Sequence, residues 1–532
     1  MKIVIADKIS ERGIELLRQL GWTITTPAAA NLAADIADAD GLIVRSATKV
    51  TGEVLEKAKA LRVVGRAGVG VDNVDVDAAT RRGVLVMNTP GGNAVSVAEH
   101  TIALLLSLAR SVPQFNAAIH AGRWEKSSAM GTEVRGKTLG LVGLGRVGTE
   151  VARRAQAMEM TVIAHDPYVA ADVAKELDVE LLGLTEVLQR ADYLSLHTSL
   201  SPATEKMMNA AALAQMKRGA RIINCARGEL IDEAALTEAL RSGQIGGAAM
   251  DTFAQEPPAK DSPLVAMANV IATPHIAGST AEAQEEVGIQ IALQVRDFLN
   301  EGVIRNSVNL PSLSGEQYRR LRPYIELAER LGSLVAQAVD GRSGRVRIRY
   351  AGEASELGSH VLRSAVLVGI LNRVLDEKVN LVNAAAAAAA RGIVVEETTR
   401  RRERGFPNTI EVALGGGASE LAVEGTILQN AAPRILRFDG IELEAPLEGT
   451  LLLTRNLDVP GVIGAIGTAL GSLGVNIATF SLGRRAPTHG AEAVAVVRLD
   501  GDVADTVPAR IREIPSITEA RLIRLPAWTS NS

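Results

Sequence analysis

KTLGLVGLGRVG, residues Lys137–Gly148, decides the reading of this chain. Thr138 to Val142 is a short apolar run that reads as a buried strand. The glycines that follow open a helix, TEVARRAQAM. Gly143 permits the tight turn, Gly145 lets backbone approach a pyrophosphate, and Gly148 allows close helix–strand packing. The helix N-terminus then offers free N–H groups and a positive dipole end to phosphates. Alone, G-x-G-x-x-G also fits a plain glycine turn. The next strand, TVIAHD, ends in Asp166, 18 residues after Gly148, close to the ~20 of a dinucleotide site. A carboxylate there accepts hydrogen bonds from ribose hydroxyls and repels a 2′-phosphate, which favours NAD over NADP. The competing reading of Asp166 is a strand-end turn residue before Pro167.

The same strand–helix rhythm extends both ways. Upstream, KIVIAD, WTITT, GLIVRS and LRVVGRAG read as strands, and SERGIELLRQLG as a helix closed by Gly21. Downstream, ADYLSLHTS, ARIINCARG, GAAMDTF and VIATPHIAG continue the series. This predicts two doubly wound, Rossmann-like α/β units with parallel sheets. AEHTIALLLSLARSVPQFNAAIHAG reads as one long helix, apolar over most of its circumference and therefore expected between domains or subunits. Thr280 to Asn300 is helical and could return the chain to the first unit.

Length and composition bound the rest. At roughly 150 residues per domain, 532 residues suggest three or four domains. A hydrophobic share of 47% excludes a mostly disordered chain, and a net charge of −4 gives no electrostatic reason to expect nucleic acid or an anionic membrane. The single cysteine, Cys225, excludes an intrachain disulfide framework and a cluster of cysteine metal ligands. No uncharged apolar stretch approaches the ~18–20 residues of a membrane span. The apolar run in MKIVIADK is too short for a signal-peptide core. The expectation is a cytoplasmic protein without a metal site.

Three residues suit the chemistry that an NAD site invites. His275 in ATPHIAGST, Glu256 in DTFAQEPP and Arg227 in INCARGEL each follow the carboxyl end of an expected strand, where α/β sheets display their ligands. They could converge in one cleft. A carboxylate beside a histidine fixes its tautomer, so the pair can act as base in oxidation and acid in reduction. A guanidinium can hold a substrate carboxylate. Taken singly, a strand-end histidine is a structural residue and an Arg-Gly pair is a turn. Cys225 has no adjacent base and reads as a packing or cofactor-contact residue.

GLGRVG, HDP, NCARGELIDE, DTFAQEPP and TPHIAGSTAEA together resemble the signature set of the D-isomer-specific 2-hydroxyacid dehydrogenases. RAGVGVDNVD (Arg66–Asp75) and MNTPGGNAVSVAEHT (Met87–Thr101) narrow the resemblance to the branch that oxidises 3-phosphoglycerate to 3-phosphohydroxypyruvate, the first step of L-serine biosynthesis. It covers essentially the whole chain. It implies that Arg227 clamps the substrate carboxylate, that His275 is the acid–base group and that Glu256 is its partner. It places Arg146 and Val147 at the pyrophosphate and Asp166 at the adenosine ribose. Thr198, Cys225, Ala226, Asp251, Ala277 and Gly278 would line the rest of the NAD site, with Asp251 near the nicotinamide amide. Arg45, Arg66 and Asn93 would bind substrate. The two arginines are chemically suited to a phosphate dianion, their other reading being surface salt bridges. Two departures stand out. The family often has H-L-G-A-S where this chain has His275-Ile-Ala-Gly-Ser279, and Gln255 replaces a common acidic or threonine residue.

After NSVNLPSLSG (Asn306–Gly315) the character changes, as at a linker. A helical segment, the strand-like VRIRYAGE and more helix follow. The seven alanines from Ala384 to Ala390 read as a tightly packed helix, and Glu396 to Arg404 as a solvated, charge-rich stretch. LVNAAAAAAARGI resembles a segment of the family's intervening domain, with alanine in place of a proline. From about Glu448 the order is βαββαβ, the ferredoxin-like arrangement. This tail resembles an ACT domain, which implies a regulatory site at Asn456, Asp458 and Asn476, with L-serine as effector and a homo-oligomer, dimer or tetramer. Ordinary loop capping is the other reading of those three residues. The expected division is 1–98 with 285–310 for substrate, 99–284 for NAD, 314–447 for an α+β intervening domain and 448–532 for the ACT domain. The alternatives are a broad D-2-hydroxyacid dehydrogenase and an NAD-sensing regulator without turnover.

Overall fold

The computed structural model describes residues 1–26, 32–311, 313, 315–339, 344–352, 354–375, 379–400, 406, 408–415, 420–428 and 432–527. The first sheet is five-stranded and parallel, in the spatial order Thr23–Thr25, Lys2–Ile5, Gly41–Val44, Val63–Arg66, Leu85–Met87. Its central strands are continuous apolar runs because helices cover both faces. One of those helices, Ala281–Glu301, comes from far along the chain and lays Val287, Ile291, Val295 and Leu299 against Ile3, Ile43 and Leu85. Its approach to helix Glu11–Arg18 is backbone on backbone: a Cβ on Gly13 would sit 2.5 Å from the Gly288 carbonyl oxygen.

The second sheet is seven-stranded and parallel. Its order is Val270–Ala272, Ile245–Met250, Ala220–Asn224, Tyr193–Leu196, Thr138–Val142, Thr161–His165, Glu180–Leu181. The expected single long helix is two helices, Ala94–Arg110 and Val112–His120, bent by 68°. Pro113 has no N–H for the Ala109 carbonyl, which instead accepts the Thr132 amide at 2.9 Å, and Ser111 takes a left-handed φ of 50°. One face of the first of the pair packs on the second sheet. Its Leu104, Leu105 and Leu108 join Leu139, Ile223 and Ala249 in the core of the second sheet. No single helix among the described residues is long and apolar enough to cross a membrane.

The third sheet is mixed, in the order Val394–Arg400, Arg345–Ala351, Thr409–Leu414, Leu421–Ile427, Pro433–Phe438, Ile441–Pro446, and only its first pair is parallel. Two sequence readings change here. The charge-rich stretch from Glu396 begins as an edge strand, with residues 401–405 outside the described set. The four strands between Thr409 and Pro446 were not anticipated, although IELEAP alternates buried and exposed as a one-faced strand should. The alanine run is helical over Ala384–Ala389, with Ala384 and Ala388 buried.

The tail folds as read: strand Thr450–Leu457, helix Val462–Ser472, strands Ile477–Arg484 and Glu492–Leu499, helix Val507–Ile511, strand Ile517–Arg524. Their antiparallel order, with Thr450–Leu457 and Glu492–Leu499 central, is the ferredoxin-like one. The third and fourth sheets share one apolar core in which Leu331, Val366 and Phe438 meet Leu451, Val494 and Ile523. Arg330, 9% exposed, donates to the carbonyls of Leu447, Pro526 and Ala527, tying both ends of the tail to helix Gly315–Ala338.

Candidate active site

Three adjacent parallel strands end level with one another. Asn224 pairs with Met250, and Met250 with Ala272. The residues just beyond them therefore emerge side by side, and these carry Arg227, Glu256 and His275. Asn224 shapes the first turn: its Oδ1 accepts the Ala226 amide at 3.0 Å and its Nδ2 donates to the Arg227 carbonyl at 2.8 Å. Gly228 lies directly on the next loop, where a Cβ would sit 1.9 Å from the Phe253 carbonyl carbon. The Arg227 guanidinium reaches across to the first unit, 3.1 Å from Asp72 Oδ2.

His275 Nδ1 lies 2.8 Å from Glu256 Oε2, and Glu256 Oε1 accepts the Phe253 amide at 3.1 Å. The histidine sits at φ 53°, a left-handed value that non-glycine residues adopt only when their surroundings impose it. Asp251 imposes it. The Asp251 carbonyl accepts the His275 amide at 2.8 Å, and its fully buried carboxylate accepts the amides of Ile276 and Ala277, each at 2.9 Å. Burial pushes that carboxyl up. Hydrogen bonds from His100, Thr273 and the two amides outweigh it, and the net shift is down.

The first unit supplies cations to the same place. Arg66 is half-buried, and its Nε has no partner. Burial holds its guanidinium below the ordinary arginine range, and the nearby charges of Arg227 and Arg45 push the same way, against Asp72. The Arg227 and Arg45 guanidiniums thus lie close enough to that of Arg66 to repel it. Arg45 is fixed by its amide on Asp7 Oδ2 at 2.6 Å and by Nη1 on the Lys8 carbonyl at 3.3 Å. Asn93 stands against the loop that carries His275, its Nδ2 2.7 Å from where a Cβ on Gly278 would be. The arrangement gathers cations suited to an anion, and the histidine–carboxylate pair is partly exposed.

Comparison with known proteins agrees with that geometry. Residues 102–277 match the family model for the D-isomer specific 2-hydroxyacid dehydrogenase NAD binding domain, and 320–439 that for the D-3-phosphoglycerate dehydrogenase intervening domain. A D-3-phosphoglycerate dehydrogenase of Methanocaldococcus jannaschii is 42% identical over 99% of this chain and 100% of its own length. One from Bacillus subtilis is 39% identical over the same shares. The chain belongs to the D-3-phosphoglycerate dehydrogenase family. Among solved structures, the apo-structure of D-lactate dehydrogenase from Escherichia coli is 28% identical, with a TM-score of 0.51, covering 58% of this chain and 100% of that one.

The chain is an enzyme that uses NAD, and the residues of its glycine loop fit that group. Gly143 has φ 101°, and a Cβ there would press within 2.5 Å of the His197 carbonyl. A Cβ on Gly148 would lie 2.2 Å from the Gly143 carbonyl, whereas around Gly145 there is open space. Space is thus kept clear only where phosphates would lie, at the start of helix Arg146–Ala157. The amide of Arg146 belongs to that helix start, but its side chain leaves it: Nη1 donates to the Pro90 carbonyl in the first unit. Val147 is half-buried beside it.

Asp166 closes the same loop. Its Oδ2 accepts the Leu144 amide at 2.8 Å and its Oδ1 the Tyr168 amide at 2.9 Å. Thr198, half-buried, follows His197 under Gly143, and Ala226 and Gly278 are half-buried near the strand ends. Cys225 and Ala277 are buried, and burial pushes the Cys225 thiol up to about 12.

The tail contains a cavity of about 470 Å³ lined by Asn456, Asp458, Arg484, His489 and an apolar wall that includes Ile466 and Phe480. Asn456 is 2% exposed, and its Oδ1 has no partner. Asp458 pairs with Arg484 at 3.3 Å. Asn476 does not line this cavity: it is exposed and donates to Asp500 at 2.7 Å. One chain brings together two of the three residues expected at an effector site. Sequence reasoning passed over Asp72, Asn224, Thr273 and His100. All four lie inside quoted motifs, yet nothing in their spacing points across the fold.

Proposed function

We propose that this chain oxidises 3-phosphoglycerate to 3-phosphohydroxypyruvate with NAD, in the biosynthesis of L-serine. The observation that carries the reading is the His275–Glu256 contact of 2.8 Å beside the Arg45, Arg66 and Arg227 guanidiniums. Bound NAD would accept the hydride that leaves C2. With its Nδ1–H donated in a hydrogen bond to Glu256, neutral His275 keeps Nε2 free to take the C2 hydroxyl proton. Arg227 holds the carboxylate and offsets charge on the developing carbonyl. Arg45 and Arg66 hold the phosphate, for which two cations in a half-buried pocket are suited. Asn93, beside Gly278, keeps the substrate against the histidine loop. In the cofactor site Gly143, Gly145, Arg146, Val147 and Gly148 take the pyrophosphate and Asp166 the adenosine ribose. Thr198, Cys225, Ala226, Asp251, Ala277 and Gly278 line the remainder.

The division at 1–98 with 285–310, 99–284, 314–447 and 448–532 belongs to the same reading, as does a cytoplasmic location. So does a regulatory tail that binds L-serine at Asn456 and Asp458, with Asn476 supplied by a second copy in a homo-oligomer. The exposure of Asn476, away from the other two, supports that last point.

The test is NADH oxidation with 3-phosphohydroxypyruvate against hydroxypyruvate, each with and without L-serine. Strong preference for the phosphorylated substrate is expected. Equal rates on both would make the chain a broad 2-hydroxyacid reductase, and binding of NAD without turnover would make it a sensor.

A further inference from the structure

The residues that hold the His275 loop are not all on that loop. Helix Ala94–Arg110 presents Asn93, Ser96 and His100, spaced three and four apart and so on one face. Each meets the segment from Thr273 to Thr280 or its anchor. Asn93 lies against Gly278. Ser96 Oγ lies 2.7 Å from Thr280 Oγ1. His100 Nε2 lies 3.3 Å from Thr273 Oγ1 and 3.4 Å from Asp251 Oδ1. The Thr273 hydroxyl donates to the same Asp251 oxygen at 2.5 Å, so its lone pair faces His100.

We propose that His100 is a positioning residue for His275, acting through Asp251 and Thr273. The carboxylate of Asp251 is fully buried, and both its oxygens are engaged by the loop carrying His275. A buried carboxylate needs a counter-donor if it is to stay ionised where it is. Among the described residues, His100 is the one side chain with a cationic form that the structure puts on it. Nε2–H shared between Asp251 Oδ1 and Thr273 Oγ1 keeps the carboxylate turned so that it faces the Ile276 and Ala277 amides. Those amides hold His275 at its left-handed φ. Remove His100, and the carboxylate can rotate or take up a proton, and the histidine loses its aim at the substrate although it still contacts Glu256. The donor lies on the helix that joins the two α/β units, so the aim of the acid–base group is tied to the crossover between them.

This rests on His275 being the acid–base group. The experiment compares His100→Ala, His100→Gln, Thr273→Val and His275→Ala by steady-state NADH oxidation with 3-phosphohydroxypyruvate. His100→Ala should lose roughly tenfold in kcat, the usual order for a supporting residue, with KM for both substrates within about twofold. Glutamine, which can present an amide N–H to the same two acceptors, should restore most of that loss. Thr273→Val, nearly the same size, should reproduce it in a chain of unchanged core packing. A kcat within about twofold of the parent in His100→Ala, or equal losses in the Ala and Gln variants, would overturn the proposal, as would a loss confined to KM for NADH. If His275→Ala itself kept the parent kcat, the acid–base assignment would fall. A slow His275→Ala beside a parent-like His100→Ala removes the positioning role alone.

Discussion

Glu256 holds His275 through one carboxylate oxygen, at 2.8 Å from Nδ1, and is itself held through the other by the Phe253 amide. The carboxylate is thus fixed before it fixes the ring. Both side chains remain partly exposed, at 38% and 50%, so the pair is reachable by substrate.

Glu256→Gln keeps the shape but can present an N–H to the ring, which favours the wrong tautomer. We expect kcat to fall at least about tenfold with little change in KM, and His275→Ala to fall by about 10²–10⁴. Steady-state kinetics in both directions check this. An unchanged kcat in Glu256→Gln would deny Glu256 its orienting role.

Arg45→Gln and Arg66→Gln each remove a cation from the cleft. Charged hydrogen bonds are worth about 1.5–3 kcal/mol, so kcat/KM for 3-phosphohydroxypyruvate should drop roughly tenfold to a hundredfold. Hydroxypyruvate, without the phosphate, should be far less affected. Equal losses on the two substrates would assign these arginines to the fold or the carboxylate.

The Asp251 carboxyl is lowered on folding, by hydrogen bonds that outweigh burial. Its contribution to stability is therefore fully present above its unfolded value of about 3.9, and is lost as pH falls through the lower folded value. Amide exchange at Ile276 and Ala277 should stay slow from neutral pH down to about pH 4, with intrinsic acid-to-base rates allowed for. Asp251→Asn should speed it about tenfold or more at pH 7, because an amide group opposes one of those N–H donors. Exchange unaltered in the variant would remove Asp251 from the loop.

With its thiol pushed up to about 12 by burial, Cys225 is almost wholly protonated at pH 8. Only the thiolate reacts with an alkylating agent. Native protein should resist iodoacetamide for hours and react within minutes once unfolded in guanidinium. Rapid labelling of the native form with loss of activity would contradict the burial of this side chain.

The fold was legible wherever hydrophobic period and punctuation agree. The parallel strands are short unbroken apolar runs, and the tail alternates cleanly between strand and helix, so each declares itself within ten residues. The break at Ser111 was harder to read, since Val112 to His120 goes on looking helical. What ends the first helix is a missing N–H at Pro113 together with the Thr132 amide, 23 residues away, that takes the carbonyl left over. Four strands of the third sheet were missed because sequences such as LAVEGTI and PRILRF mix charge into weak alternation, even though they pair with their neighbours along the chain.

By itself the sequence determined the glycine loop, the acidic strand end at Asp166 and the three strand-end residues Arg227, Glu256 and His275. These depend on backbone conformation and on spacing along one strand–turn unit, both local properties. Tertiary structure alone decided that Arg45 and Arg227 come close to Arg66, that Asp251 and His100 contact the histidine loop, and that Asn476 stands apart from Asn456 and Asp458. Those relations join residues tens to hundreds of positions apart. Coulomb forces and hydrogen bonds act over a few ångströms, so only the packing of one unit against another brings such groups within their reach.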